Sequence, residues 1–153
     1  MENIRRKDRE ITKKEAIKLL ESAEYGVLST VGKNGQPYGV PLSYVYKSDR
    51  IYFHCAVNGH KLDNITNNPK VSFSVVGNTK VLPDKFATEY ESTVVFGVAK
   101  EIVGAERHCA LVWLLEKYCP DFIEEGEQYI QQKDKATKVI KIEISHVSGK
   151  ARR

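Results

Sequence analysis

The stretch "GVLSTVGKNGQPYGVPLSYVY", residues 26 to 46, narrows the possible folds more than any other part of the chain. Two β-rich runs flank "KNGQP", and Asn-Gly readily supplies the positive backbone φ of a tight hairpin turn. The spacing predicts that 26 to 32 and 36 to 46 pair antiparallel. In the second run Val40, Leu42, Tyr44 and Tyr46 alternate with Gly39, Pro41, Ser43 and Val45. Pro41 has no N–H to give to a ladder, which places this strand at a sheet edge or a bulge.

The same pattern continues downstream. "KSDR" turns the chain into a third strand, Ile51 to Ala56, and a short helix stopped by Pro69 leads to a fourth, "VSFSVV" at 71 to 76. "GNTKVLPDKFATEY", 77 to 90, has no clean period and reads as a long loop, a length that in a compact domain tends to carry function. "STVVFGVAKEIV" at 92 to 103 is a fifth strand, with Gly97 permitting a bend, and "KVIKIEIS" at 138 to 145 is a sixth. Thr12 and Glu15 form a capping box for a helix over 12 to 23. A broad apolar face over 105 to 118, ended by Pro120, predicts another helix, and "IEEGEQYIQQK" a weaker one. Strands in hairpins with helices added, and no regular strand-helix alternation, predict a mainly β chain: a six-stranded antiparallel barrel with helices outside. The 153 residues suit one domain, with barrel segments about 25–103 and 138–146, a helix at about 12–23 and helices within about 105–133.

Composition excludes several function classes. At 41% hydrophobic and 29% charged the chain lies near the globular average, and its net charge is a mild +4. The basic ends, "RRKDR" and "KARR", read as solvated tails, so nucleic acid is not an expected partner. "CALVWLL" is the longest apolar run, far short of the ~20 residues of a membrane span. "MENIRRKDRE" has no apolar core of the kind a secretory leader needs. Three cysteines, odd in number and in apolar or helical surroundings, fit a reduced, cytoplasmic setting.

Chemistry-bearing residues concentrate in "IYFHCAVNGHKLDNI", 51 to 65. Period two puts Ile51, Phe53 and Cys55 on one strand face and Tyr52, His54 and Ala56 on the other. Cys55 therefore points with the core and reads as a buried thiol, because a useful thiolate needs exposure and a neighbouring cation. His54 and Cys55 diverge, and no further ligand spacing supports a metal. "VNGHKLDNI" reads as a strand end, a cap at Asn58, a permissive Gly59 and a first helical turn whose Leu62 and Ile65 face inward. Such a helix start carries about half a positive charge, and Lys61 adds a full one, which together would hold a phosphate. A capped surface helix with a solvated lysine accounts for the same residues, and composition leaves both readings open. Likewise Ser43, Ser29 and Thr30 could set short hydroxyls against a flat cofactor while Tyr44 and Tyr46 give aromatic area, or the tyrosines could be ordinary sheet residues.

Residues 25 to 77 carry, in order, L-S-T, G-x-P-Y-x-V-P-L, I-Y-F-H-C-A, G-x-K and N-P-x-V. In this order the chain resembles the pyridoxamine 5′-phosphate oxidase-like FMN-binding split-barrel flavoproteins, and within them the nitroimidazole-resistance, nitroreductase-like group. The resemblance continues more weakly through "YESTVVFGVAKEI" and the helix at 105 to 118. It implies a six-stranded split barrel, a homodimer and FMN at the subunit interface. It further implies that Lys61, with His60 and Leu62 at the helix start, holds the FMN phosphate. Ser29, Thr30 and Val31 from one strand and Pro41, Leu42 and Ser43 from the next would line the cofactor, with His54, Cys55 and Ala56 beside them. His54 resembles the group's active-site histidine next to the flavin. Glu91, Ser92 and the loop before them would close the pocket from the second subunit, with Trp113 as a further wall.

The chain lacks the Arg-rich signatures of true pyridoxamine phosphate oxidases, so vitamin B6 oxidation is not expected. The resemblance implies instead an FMN-dependent reductase of a small, flat, electron-poor acceptor, with His54 as hydrogen-bond donor or acid near its ordinary pKa of ~6.5. No dinucleotide Gly motif is present, so NAD(P)H as donor would bind transiently over the flavin. A flavin-binding module without turnover, or a split barrel binding haem or a deazaflavin, are the alternatives.

Overall fold

The structure is a computed structural model that describes residues 3–153; Met1 and Glu2, the start of the segment read above for a leader, lie outside it. Helix α1 (Lys13–Ser22) begins where the capping box predicts, with the Thr12 hydroxyl accepting from the Glu15 N–H at 3.1 Å. Strands β1 (Gly26–Val31) and β2 (Pro37–Leu42) pair antiparallel from Gly26↔Leu42 to Val31↔Pro37. Their connection is a five-residue loop and not a two-residue turn: Gly32 N–H bonds to Gln36 O, and Gly35 takes the positive φ, +81°.

The run expected as one strand over 36 to 46 is broken in two. β2 stops at Leu42 and β3 (Val45–Lys47) begins after a corner at Ser43 and Tyr44. At that corner Tyr44 turns from the ladder to α3 (Gly104–Tyr118): its N–H donates to Tyr118 Oη at 3.0 Å, and Lys117 Nζ donates to its carbonyl at 2.9 Å. β4 (Arg50–Ala56), α2 (His60–Asn67) and β5 (Lys70–Val76) follow as expected. The segment read as a loop, 77 to 90, instead holds β6 (Lys80–Leu82) and the start of β7 (Ala87–Ile102), which pair as a hairpin. α4 (Ile123–Gln132) follows α3, and β8 (Thr137–Arg152) runs well past the expected end at residue 146.

Eight strands, two more than expected, form one antiparallel sheet in the order β2-β1-β5-β7-β8-β4-β3, with β6 on β7. The sheet curls without closing: β2 and β3 are its edges, joined only through the Ser43–Tyr44 corner, and Pro41 sits on the edge strand. This mainly β, split-barrel architecture is the expected class. Leu28, Tyr44, Ile51, Phe53, Phe73, Val95, Ile140 and Ile142 fill its interior. Their burial supplies roughly 1.5–3 kcal/mol per large apolar side chain. On the other side of β4, Tyr52 and Val139 pack under Ala110, Leu111 and Leu114 of α3, making a second core. β4 is thus covered on both faces at Tyr52, while the outward residues nearer its end, His54 and Ala56, stay exposed at the edge of that cover. No helix among the described residues is long and apolar enough to cross a membrane.

Candidate functional site

Period two along β4 sends Phe53 and Cys55 inward and His54 outward, as the sequence implies. Cys55 is half-buried against the barrel core, and burial raises its pKa, which keeps it a thiol. His54 opens into a groove of about 380 Å3 between the outer side of β4 and helices α3 and α4. The groove is walled by Leu111, Leu114 and Leu115 of α3 and Tyr129 and Ile130 of α4, with Ser43 at the barrel corner. Arg107 lies at the first turn of α3, its guanidinium spent on Asp134 (Nη1 to Oδ1 2.7 Å) and on the carbonyls of Asp134 and Thr137.

The protein crowding His54 lowers its pKa, and the Lys61 ammonium lowers it further. At neutral pH the imidazole is uncharged, so the reading of His54 as an acid near pKa ~6.5 gives way to a neutral ring that donates one hydrogen bond and accepts another. The Lys61 charge acts on both His54 and Cys55 at the end of β4. It makes no ion pair among the described residues.

The start of α2 differs from the expectation in one respect. Gly59, not Asn58, is the N-cap, and it offers no side-chain acceptor. The first-turn N–H groups therefore keep their donor capacity, as an anion site requires. His60 stacks on Tyr38 of β2, ring centroids 4.0 Å apart and 23° from parallel, which fixes this turn against the barrel edge. A second tie is buried: Asn64 Nδ2 donates to Thr30 Oγ1 at 2.9 Å. Asn64→Leu leaves the Thr30 hydroxyl short of its partner inside the protein and is expected to cost about 1–3 kcal/mol, read from the urea midpoint.

The remaining predicted residues fall into three groups. Ser29, Val31 and Pro41 point outward from β1 and β2, with Ser29 opposite Gly39. Thr30 is buried and engaged by Asn64, while Leu42 and Leu62 pack against the core. Ser43 and His54 line the groove together, Ala56 ends β4 beyond them, and His60 and Lys61 open α2, with the Lys61 charge acting on His54. Glu91 and Ser92 do not join them within one chain. His54 pairs with Val139 near the start of β8, whereas Glu91 pairs with Ala151 near its end, a strand contour of roughly 40 Å away. Trp113 lies outside the groove, tilted against Tyr52 at 5.4 Å beside Val45 and Tyr46. Sequence reasoning missed the groove walls on α4 and the Tyr38–His60 stack; the only signal was the unusually broad apolar face of 105 to 118.

A family model described as pyridoxamine 5′-phosphate oxidase matches residues 12–151. An uncharacterized protein of Rhizobium meliloti is 29% identical over 99 residues, 61% of this chain and 60% of that relative, so the match spans about three fifths of its length. Among solved structures, a candidate 5-nitroimidazole antibiotic resistance protein from Bacteroides thetaiotaomicron superposes with a TM-score of 0.75 at 21% identity, covering 92% of this chain and 85% of the other. An FAD and haem binding protein from Mycobacterium smegmatis gives 0.79 at 19% identity, covering 93% and 72%.

Proposed function

The chain belongs to the pyridoxamine 5′-phosphate oxidase family, and from that premise we propose that it is a flavoprotein that binds FMN and reduces small, flat, electron-poor molecules. The observation that carries this reading is the uncapped first turn of α2, whose Lys61 has no ion-pair partner among the described residues and acts on a histidine that lines an apolar groove. Those residues fit the phosphate end of a flavin mononucleotide: the first turn would supply backbone N–H donors and a helix dipole, and Lys61 an ammonium. The outward residues of β1 and β2, including Ser29, Gly39 and Pro41, are small enough to let a planar group lie close to the backbone. Bound there, a flavin supplies the one- or two-electron transfer that side chains cannot perform. The chain's own part is to hold the phosphate, to keep water from the acceptor with Leu111, Leu114 and Ile130, and to donate the His54 N–H to an acceptor oxygen that gains charge.

A homodimer completes this reading. Val94, Phe96 and Val98 stand exposed in a row on β7, between Ser74, Ser72 and Lys70 of β5 and Ser148, His146 and Glu143 of β8, an apolar row with a mixed polar border. Pairing two such rows about a two-fold axis would cover them and let Glu91 and Ser92 of one subunit approach the other's His54. NAD(P)H is the proposed electron donor, bound only while it reacts.

Mass spectrometry of the small molecule released on denaturation tests the cofactor: FMN is expected, and haem or a deazaflavin refutes it. NAD(P)H consumption with a nitroaromatic acceptor tests turnover, and its absence in FMN-loaded protein leaves a flavin-binding module. His54→Ala is expected to keep FMN and lose most of that turnover. Acid should also act through His54. Above pH ~6.5 the folded and unfolded chains both hold it neutral; as pH falls below that value the unfolded chain takes the proton first, so stability declines. The urea midpoint should fall between pH 7 and 5 more steeply in the wild type than in His54→Gln.

A further inference from the structure

We propose that the groove between α3, α4 and β4 binds an apolar, multi-ring small molecule carrying one anionic group, its body against Leu111, Leu114, Leu115 and Ile130 and its charge at Lys133. This names the acceptor class for the flavin site and rests on that reading. Three observations converge. The groove runs beside α3 from Arg107 to Tyr118, twelve residues and roughly 16 Å of helix, and its volume of about 380 Å3 falls in the range of small-molecule sites. A single nitro-heterocycle would leave much of it to water against leucine side chains, which is unfavourable.

The polar groups are few and unequal. No aspartate or glutamate among the described residues lines the groove. Arg107 is neutralised by Asp134, whereas Lys133 has no ion-pair partner among the described residues and rests over the Tyr129 ring, 6.0 Å from its centroid. One uncompensated cation at the rim of an apolar slot selects an anionic substituent over a cationic one. Ser43 and the neutral His54 add hydrogen-bonding groups without charge.

The test uses the full chain, flavin-free and FMN-loaded, with two fluorescent probes: 1-anilinonaphthalene-8-sulfonate and the uncharged N-phenyl-1-naphthylamine. One saturable site per chain is expected in both forms, tighter for the sulfonate at low salt, with the preference vanishing near 1 M salt, where the screening length is ~3 Å. Lys133→Glu, at an exposed position, should weaken the sulfonate about tenfold and leave the neutral probe unchanged; Leu115→Glu should abolish both while near-ultraviolet dichroism stays native. No saturable site, or a sulfonate affinity unmoved by Lys133→Glu, overturns the inference. Stoichiometric expulsion of the probe by FMN overturns it too, since the groove would then belong to the flavin ring. FMN binding is measured separately by flavin fluorescence: its failure with probe binding intact sinks the flavin reading alone.

Discussion

Lys61→Glu is expected to lower FMN affinity by about 100-fold or more while leaving the fold intact. A charge-assisted hydrogen bond to phosphate contributes about 1.5–3 kcal/mol, which is already about 10- to 100-fold in Kd, and a carboxylate at the same place adds repulsion. Lys61 is the second residue of α2, whose N-cap brings no side chain of its own, so its loss is not made up locally. Lys61→Met removes the attraction without the repulsion and should lie between wild type and Lys61→Glu. Because Lys61 also lowers the His54 pKa, either substitution should raise that pKa, moving the acid limb of any activity profile to higher pH. Fluorescence titration of FMN with the three proteins measures the first effect, and histidine NMR titration the second. Equal affinities would place the phosphate elsewhere.

The helix bearing Lys61 was legible in the sequence because Gly59, Leu62 and Ile65 follow local rules. The same holds for α1, with its capping box, and for β1, β4 and β5, whose alternation matches the faces they bury. What escaped local reading depends on partners distant in sequence. The break at Ser43–Tyr44 is imposed by Tyr118 and Lys117, more than 70 residues away, which take the N–H and carbonyl that a continuous strand would have used. The far end of β8 hides for a different reason. Its inward positions, Gly149 and Ala151, are small because α1 and the segment before it press on them: a Cβ at Gly149 would stand 2.8 Å from Ile11 and 3.0 Å from Ala16. Small residues leave no hydrophobic period to detect. β6 is three residues long and largely exposed, so it carries no pattern either. The candidate site divides the same way, since the phosphate end is local to 51–65, whereas the groove arises only when α3 and α4 fold over β4.

Gly97→Val is expected to damage the barrel severely, costing ~3 kcal/mol or more. β7 and β8 pair along nearly their whole length, with one irregularity: Phe96 lies opposite His146 and Gly97 opposite Ile144, leaving Ser145 as the extra residue of a bulge. The Ser145 hydroxyl donates to Phe96 O at 3.0 Å across it. At Gly97 the strands approach so closely that a Cβ would stand 2.5 Å from Glu143 O and 2.6 Å from Ile142 Cγ2. The first of these is backbone held in the β8 ladder and the second belongs to a fully buried core side chain, so neither can yield cheaply. Valine adds two further methyl groups to that conflict. For a domain of this size each kcal/mol lowers Tm by roughly 2–4 °C, so a fall of about 6–12 °C is expected by calorimetry. Gly39→Ala is the contrasting case, because its Cβ would meet nothing nearer than 3.5 Å, and its Tm should stay within about 2 °C of wild type. A Gly97→Val protein that melts with the wild type would mean that the two strands can part at the bulge without loss. The exposed row Val94, Phe96 and Val98 would then sit on a movable strand, a poor base for the dimer face proposed above.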